Sequence, residues 1–186
     1  KSSLVVIDLP AGSYENSAAQ AFASASEIMA KTGADAVKLE GGTDIAPHVK
    51  CLVDSGIPVL GHIGLLPQRA VTGEAFRITG RSEKEANQLH KDANAIVEAG
   101  VFGIVLEGII EPVATSIAIG CKVPTIGIGA SASCDGQILV TEDLLGLYDA
   151  FTPKSVREFS NLQDELGGAS SEHRATVTDG GSPAQD

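Results

Sequence analysis

Five ionisable side chains fall at or beside the ends of short apolar runs: Asp8 closing LVVID, Lys38 and Glu40 within AVKLE, His62 in GHIG and Glu107 closing GIVLE. Carboxylates in such places are hard oxygen donors suited to Mg2+, which takes one or two carboxylates together with water and substrate oxygens. Lys38 and Glu40 are two residues apart, so on a strand they point to the same side. There the lysine would hold an anionic substrate and the glutamate would support a metal. Glu107 is a costly residue to end an apolar run unless it is paired or used. Partial desolvation would raise its pKa and suit it to act as a general base. The set as a whole suits a 2-oxo acid. A chelated Mg2+ stabilises an enolate, and a separate carboxylate removes the proton α to the ketone.

Each residue also has a plainer reading. Asp8 serves equally as a helix cap or a solvated carboxylate, Lys38 and Glu40 as an internal ion pair, and His62 as a hydrogen-bonded structural residue. His48, His90 and His173 stand at no metal-ligand spacing from His62, so a zinc site is not expected. Cys134 has no evident base near it and reads as an inert thiol. Asp135-Gly136-Gln137 reads as a turn leading into a helix.

The elements that position these residues follow one pattern. Strand candidates at 4–8, 36–40, 58–62, 103–107 and 124–128 are continuous apolar runs, as strands buried on both faces are. Between them, 15–31, 45–55, 82–99 and 112–119 read as helices, with a further piece over 137–147. Gly33, Gly56 and Gly100 stand where C-terminal caps belong, and Ser82 to Glu85 spells a capping box. Alternating strands and helices with short connectors mean a parallel sheet. No GxGxxG follows any strand, which removes the usual support for a dinucleotide fold. The polar residues cluster at the C-terminal ends of the runs, the rim on which a (β/α)8 barrel builds its active site. Five units fall short of a full barrel of about 250 residues. The expectation is therefore a TIM barrel without its first strands, over residues 1–164. The 64–80 connection is long and lies on the functional rim. The Gly-, Ser- and Ala-rich tail over 165–186 is expected to be disordered.

Composition narrows the function classes. The chain has 186 residues, 24 acidic side chains against 13 Lys and Arg, and a net charge of −11. Nucleic acid and anionic membranes select for the opposite sign. No apolar run approaches the ~18 residues of a spanning helix. Cys51, Cys121 and Cys134 are odd in number and form no CxxC pair, which points to reduced thiols and a cytoplasmic location.

Several of these stretches, in order and spacing, resemble ketopantoate hydroxymethyltransferases: IDLP at 7–10, VKLEGG at 37–42, GHIGLLPQ at 61–68, VLEG at 105–108, PTIGIGA at 124–130 and CDGQILV at 134–140. LLGLYDAFTPK at 144–154 is similar too, and the likeness runs from about 4 to 161. The resemblance implies a (β/α)8 barrel assembled as a homo-oligomer, a decamer in the family. It implies Mg2+ and 5,10-methylenetetrahydrofolate, which serve to hydroxymethylate 3-methyl-2-oxobutanoate to 2-dehydropantoate in pantothenate synthesis. Asp8 would then bind both metal and oxo acid, Glu40 the metal and Lys38 the oxo acid. Glu107 would be the proton acceptor and His62 a residue lining the substrate site. The family's upstream Gly-Asp-Ser element has no counterpart here, and the five runs would be the third to seventh strands. Two rival readings share the pattern: a Mg2+-dependent 2-oxo acid lyase or mutase of the phosphoenolpyruvate/pyruvate barrels, and an inactive fragment that serves only in assembly.

Overall fold

The apolar runs pair side by side in the order in which they occur. In the computed structural model, which describes residues 3–69, 77–147, 157 and 159–183, they form β1 (Val6–Asp8), β2 (Ala36–Glu40), β3 (Val59–Gly64), β4 (Gly103–Glu107), β5 (Thr125–Ile128) and β6 (Gly136–Gln137). Among the described residues this is a six-stranded sheet in the order β1-β2-β3-β4-β5-β6, and every pair is parallel. The intervening helices are α1 (Ala18–Thr32), α2 (Ala46–Asp54), α3 (Glu83–Glu98) and α4 (Glu111–Gly120). Sequential order without a reversal carries all right-handed crossovers to one side of the sheet.

Burial shows which side that is. Val37, Leu39, Val59, Ile63, Ile104 and Leu106 share one core with Ala21, Ala25, Val49, Leu52, Leu89, Ala93, Ile96, Ala114 and Ile117 of the helices. Those strand residues are the alternate positions to Lys38, Glu40, His62 and Glu107. Gly61 sits on the helix-facing side because a Cβ there would come within 2.6 Å of Ile96 Cδ1. The helices therefore cover one face, and the polar side chains project from the other.

Local signals place the helix ends. Ser17 Oγ caps α1 by accepting the Gln20 N–H, and Ser82 with Glu85 forms the expected capping box at the start of α3. Gly33, Gly56 and Gly100 all have positive φ.

The residues from Leu139 onward form a separate unit. In it, α5 (Thr141–Leu145) is far shorter than the 137–147 helix expected, because Gly136–Gln137 pair with β5 as β6. The tail also departs from expectation. It is helical over α6 (Leu162–Thr178), capped by the Asn161 side chain accepting from Asp164 N, with Asp164 and Glu165 in its first turn. Carboxylates at a helix start favour the helix dipole, and α6 buries no residue. Composition recorded the lack of a core but missed the cap. The 70–76 part of the long connection and the 148–156 part of the LLGLYDAFTPK stretch lie outside the described residues.

Candidate active site

Register alone brings the five predicted residues to one face. Asp8 is level with Lys38, Glu40 with His62, and Gly64 with Glu107. Paired positions in a parallel sheet share a face, and so do residues two apart on one strand. Asp8, Lys38, Glu40, His62 and Glu107 thus all project away from the helices. Asp8, Glu40 and Glu107 are the last residues of their strands.

The contacts run across the strands in a chain. Lys38 Nζ lies 3.2 Å from Asp8 Oδ2 and 3.1 Å from His62 Nδ1. His62 Nε2 lies 3.1 Å from Glu107 Oε2, without full hydrogen-bond alignment. An ammonium group has only hydrogens to offer, so Nδ1 must accept and the ring proton belongs on Nε2, facing Glu107. The internal Lys38–Glu40 ion pair considered from sequence is replaced by Lys38 bridging Asp8 and His62. Glu40 Oε1 stands 3.8 Å from His62 Nδ1, too far for a hydrogen bond.

Burial differs sharply along this chain. Glu40 and His62 are each only 2% exposed, whereas about half of the Asp8 side chain is open to solvent. Burial pushes the Glu40 carboxyl above the usual carboxylate range; His62, the Gln68 N–H and Lys38 oppose that rise, and Glu107 adds to it. Asp8 stays reachable from solvent beside the Lys38 ammonium group.

Several residues around the site carry no motif signal. Tyr14 is fully buried, and its hydroxyl touches the Glu40 backbone. Gln68 N donates to Glu40 Oε2 at 3.0 Å, and Arg69 Nη2 donates to the Glu40 carbonyl at 3.1 Å. Gln68 was visible only as the last letter of GHIGLLPQ; nothing local in the sequence ties Tyr14 or Arg69 to Glu40. Farther along the sheet, Asp135 is no helix start. Its Oδ2 accepts from Thr125 N at 2.8 Å and from Thr125 Oγ1 at 3.0 Å, fastening β5 to the loop before β6. Cys134 is partly buried against the core.

Asp8 and Glu40 are the oxygen donors that face the same side on neighbouring strands. Among the described residues no group of three or more His, Cys, Asp or Glu is arranged to hold a metal. A zinc cage needs more protein ligands than this. Two carboxylates, one with an oxygen free of hydrogen bonds and one open to solvent, match what Mg2+ takes from a protein.

The sequence has clear relatives among known proteins. The ketopantoate hydroxymethyltransferase family profile matches residues 1–185. The chain is 50% identical over 173 residues to the 3-methyl-2-oxobutanoate hydroxymethyltransferase of Paramagnetospirillum magneticum, covering 93% of this chain and 63% of that protein. It is 52% identical over 165 residues to that of Sinorhizobium medicae, covering 89% and 60%. The chain thus spans about three-fifths of the length of the curated relatives it matches. Among solved structures, phosphonopyruvate hydrolase superposes with a TM-score of 0.54 at 13% identity, over 99% of this chain and 64% of that one. That likeness speaks for the fold alone. A match over nearly its whole length, with half of its residues shared, places the chain in the ketopantoate hydroxymethyltransferase family.

Proposed function

We propose that this chain carries the catalytic face of a Mg2+-dependent hydroxymethyltransferase that converts 3-methyl-2-oxobutanoate to 2-dehydropantoate with 5,10-methylenetetrahydrofolate. The observation that carries the reading is the convergence of Asp8, Lys38, Glu40, His62 and Glu107 on one sheet face, in a chain of this family. The architecture that suits it is a (β/α)8 barrel. Six parallel strands in sequential order, with helices packed on one side, suit the inner wall of such a barrel, and about two further strands would complete eight.

Asp8 and Glu40 are the residues to hold Mg2+, which when bound polarises the ketone and acidifies the neighbouring C–H. Lys38, with its ammonium fixed between Asp8 and His62, is placed to bind the carboxylate of the oxo acid. Glu107 takes the proton from C3. His62 turns Nε2 toward Glu107 Oε2 at 3.1 Å and lines the site beside the base. The enolate carbon then bonds to the one-carbon unit. One water is consumed: its oxygen ends in the hydroxymethyl group, and the two folate nitrogens recover one hydrogen from water and one from C3. The three unpaired thiols support a cytoplasmic location, and the family resemblance supports a homo-oligomer.

The test supplies Mg2+, 3-methyl-2-oxobutanoate and 5,10-methylenetetrahydrofolate and follows 2-dehydropantoate by mass spectrometry. Folate-dependent product is expected, falling about 100-fold or more in Glu107→Gln. A folded, stable chain that forms no product would favour the assembly-only reading. Cleavage of 2-oxo acids without folate would favour a lyase.

A further inference from the structure

Tyr14 is one of two tyrosines in the chain and heads the set of large side chains that are fully buried. It lies in the connection between β1 and α1. Its hydroxyl accepts the Glu40 N–H at 3.2 Å and sits 3.3 Å from both the Glu40 carbonyl oxygen and Gln68 Oε1. One hydroxyl hydrogen serves those two acceptors.

Glu40 is also held by the 3-10 turn over Pro67–Arg69. Gln68 donates its N–H to Glu40 Oε2, and Arg69 donates to the Glu40 carbonyl while pairing with Asp44 at 2.7 Å. The approach is so close that a Cβ on Gly41 would stand 2.5 Å from Arg69 Nη2. Glu40 is therefore fixed at its N–H, its C=O and one carboxylate oxygen. Oε1 remains for other work.

A buried carboxylate that must meet a second ligand from another strand needs such fixing. A glutamate has three side-chain torsions, and its rotamer freedom works against any one geometry. We propose that Tyr14 is a positioning residue. Its hydroxyl pins the end of β2 and, by holding Gln68, aims the Glu40 carboxylate toward the site. This rests on the reading of Glu40 as a metal-binding residue, and the experiment separates the two.

Tyr14→Phe keeps the buried ring and removes only the hydroxyl. Residue-resolved amide hydrogen exchange on the whole chain is the first readout. Exchange at Glu40 and Gln68 is expected to quicken by about ten-fold, the scale of one lost hydrogen bond, with Ile104 and Leu106 in β4 unchanged. A merely structural role would quicken all of these together. Either a uniform rise or an unchanged Gln68 overturns the proposal.

Calorimetric titration with Mn2+ is the second readout. Tyr14→Phe is expected to weaken binding by about ten-fold and Glu40→Gln by at least as much. If Glu40→Gln leaves Mn2+ binding untouched, the ligand reading of Glu40 fails, and the exchange data still decide the role of Tyr14.

Discussion

Gly64 ends β3 directly beside Glu107, and replacing it with alanine tests whether this junction is as tightly built as it looks. Its φ is +101°, a conformation that L side chains rarely adopt. A Cβ there would lie deep inside contact distance of the Glu107 carbonyl oxygen and 2.7 Å from Ile109 Cγ1. Three costs follow. The backbone conformation costs about 1–2 kcal/mol. Forcing backbone and Ile109 apart costs about 1–3 kcal/mol. Displacing the Glu107 carbonyl weakens the 2.8 Å hydrogen bond it accepts from Leu65 N, worth about 1 kcal/mol. The total, roughly 3–6 kcal/mol, is a large part of the ~5–15 kcal/mol stability of a typical domain.

Two controls isolate the terms. Gly56 has φ +82° with nothing within 4 Å of its Cβ position, so Gly56→Ala should cost only the backbone term of about 1–2 kcal/mol. Gly120 has open space and no positive φ, so Gly120→Ala should be neutral to slightly stabilising. Urea denaturation followed by circular dichroism reads all three. The reasoning is refuted if Gly64→Ala costs no more than Gly56→Ala.

Three more predictions rest on separate parts of the structure. Burial pushes the Tyr14 hydroxyl up to about 12 from 10.0. Its contribution should be whole below about pH 10 and lost as pH climbs toward 12, a change of about 3 kcal/mol; melting curves of wild type and Tyr14→Phe that stay parallel from pH 8 to 11.5 would contradict this. The Thr125 N–H, with its hydroxyl, holds the Asp135 carboxyl below the usual range. The stability it lends should therefore be present above the ordinary carboxylate pKa and vanish as pH falls through the lowered one; Asp135→Asn should flatten that acid limb, and an unchanged limb refutes the assignment. Leu39 is fully buried on the helix-facing side of β2, and Leu39→Ala should cost about 2–5 kcal/mol in the same urea assay, whereas a cost under 1 would mean that this face is not the packed one.

The sequence spoke most clearly where local patterns are rigid. Runs at 36–40 and 103–107 coincide with β2 and β4, the capping box begins α3, and the three glycines follow their helices with positive φ. The one-face arrangement of the charged residues was legible as strand ends, because alternation on a strand and position at its end are both readable from spacing.

What escaped was set by distant or weak signals. β6 has two residues, too few for any periodicity, and is held by pairing with β5. Tyr14 reaches Glu40 across 26 residues of sequence through a single hydroxyl. The Asp8 contact of Lys38 carries no local signal, because Asp8 belongs to another strand and only the register brings them level. The expectation for the tail rests on its glycines and serines, whereas Leu162–Thr178 is a helix that starts at an Asn161 cap.

The claim on which the account turns is that Glu107 acts as a base on a substrate held across the same sheet face by Lys38, Asp8 and Glu40. Proton NMR of 3-methyl-2-oxobutanoate in D2O with Mg2+ and no folate reads this directly, since only C3 deprotonation exchanges that hydrogen. Exchange catalysed by the chain is expected, dependent on Mg2+ and about 100-fold slower or worse in Glu107→Gln. Exchange that persists undiminished in Glu107→Gln would contradict it.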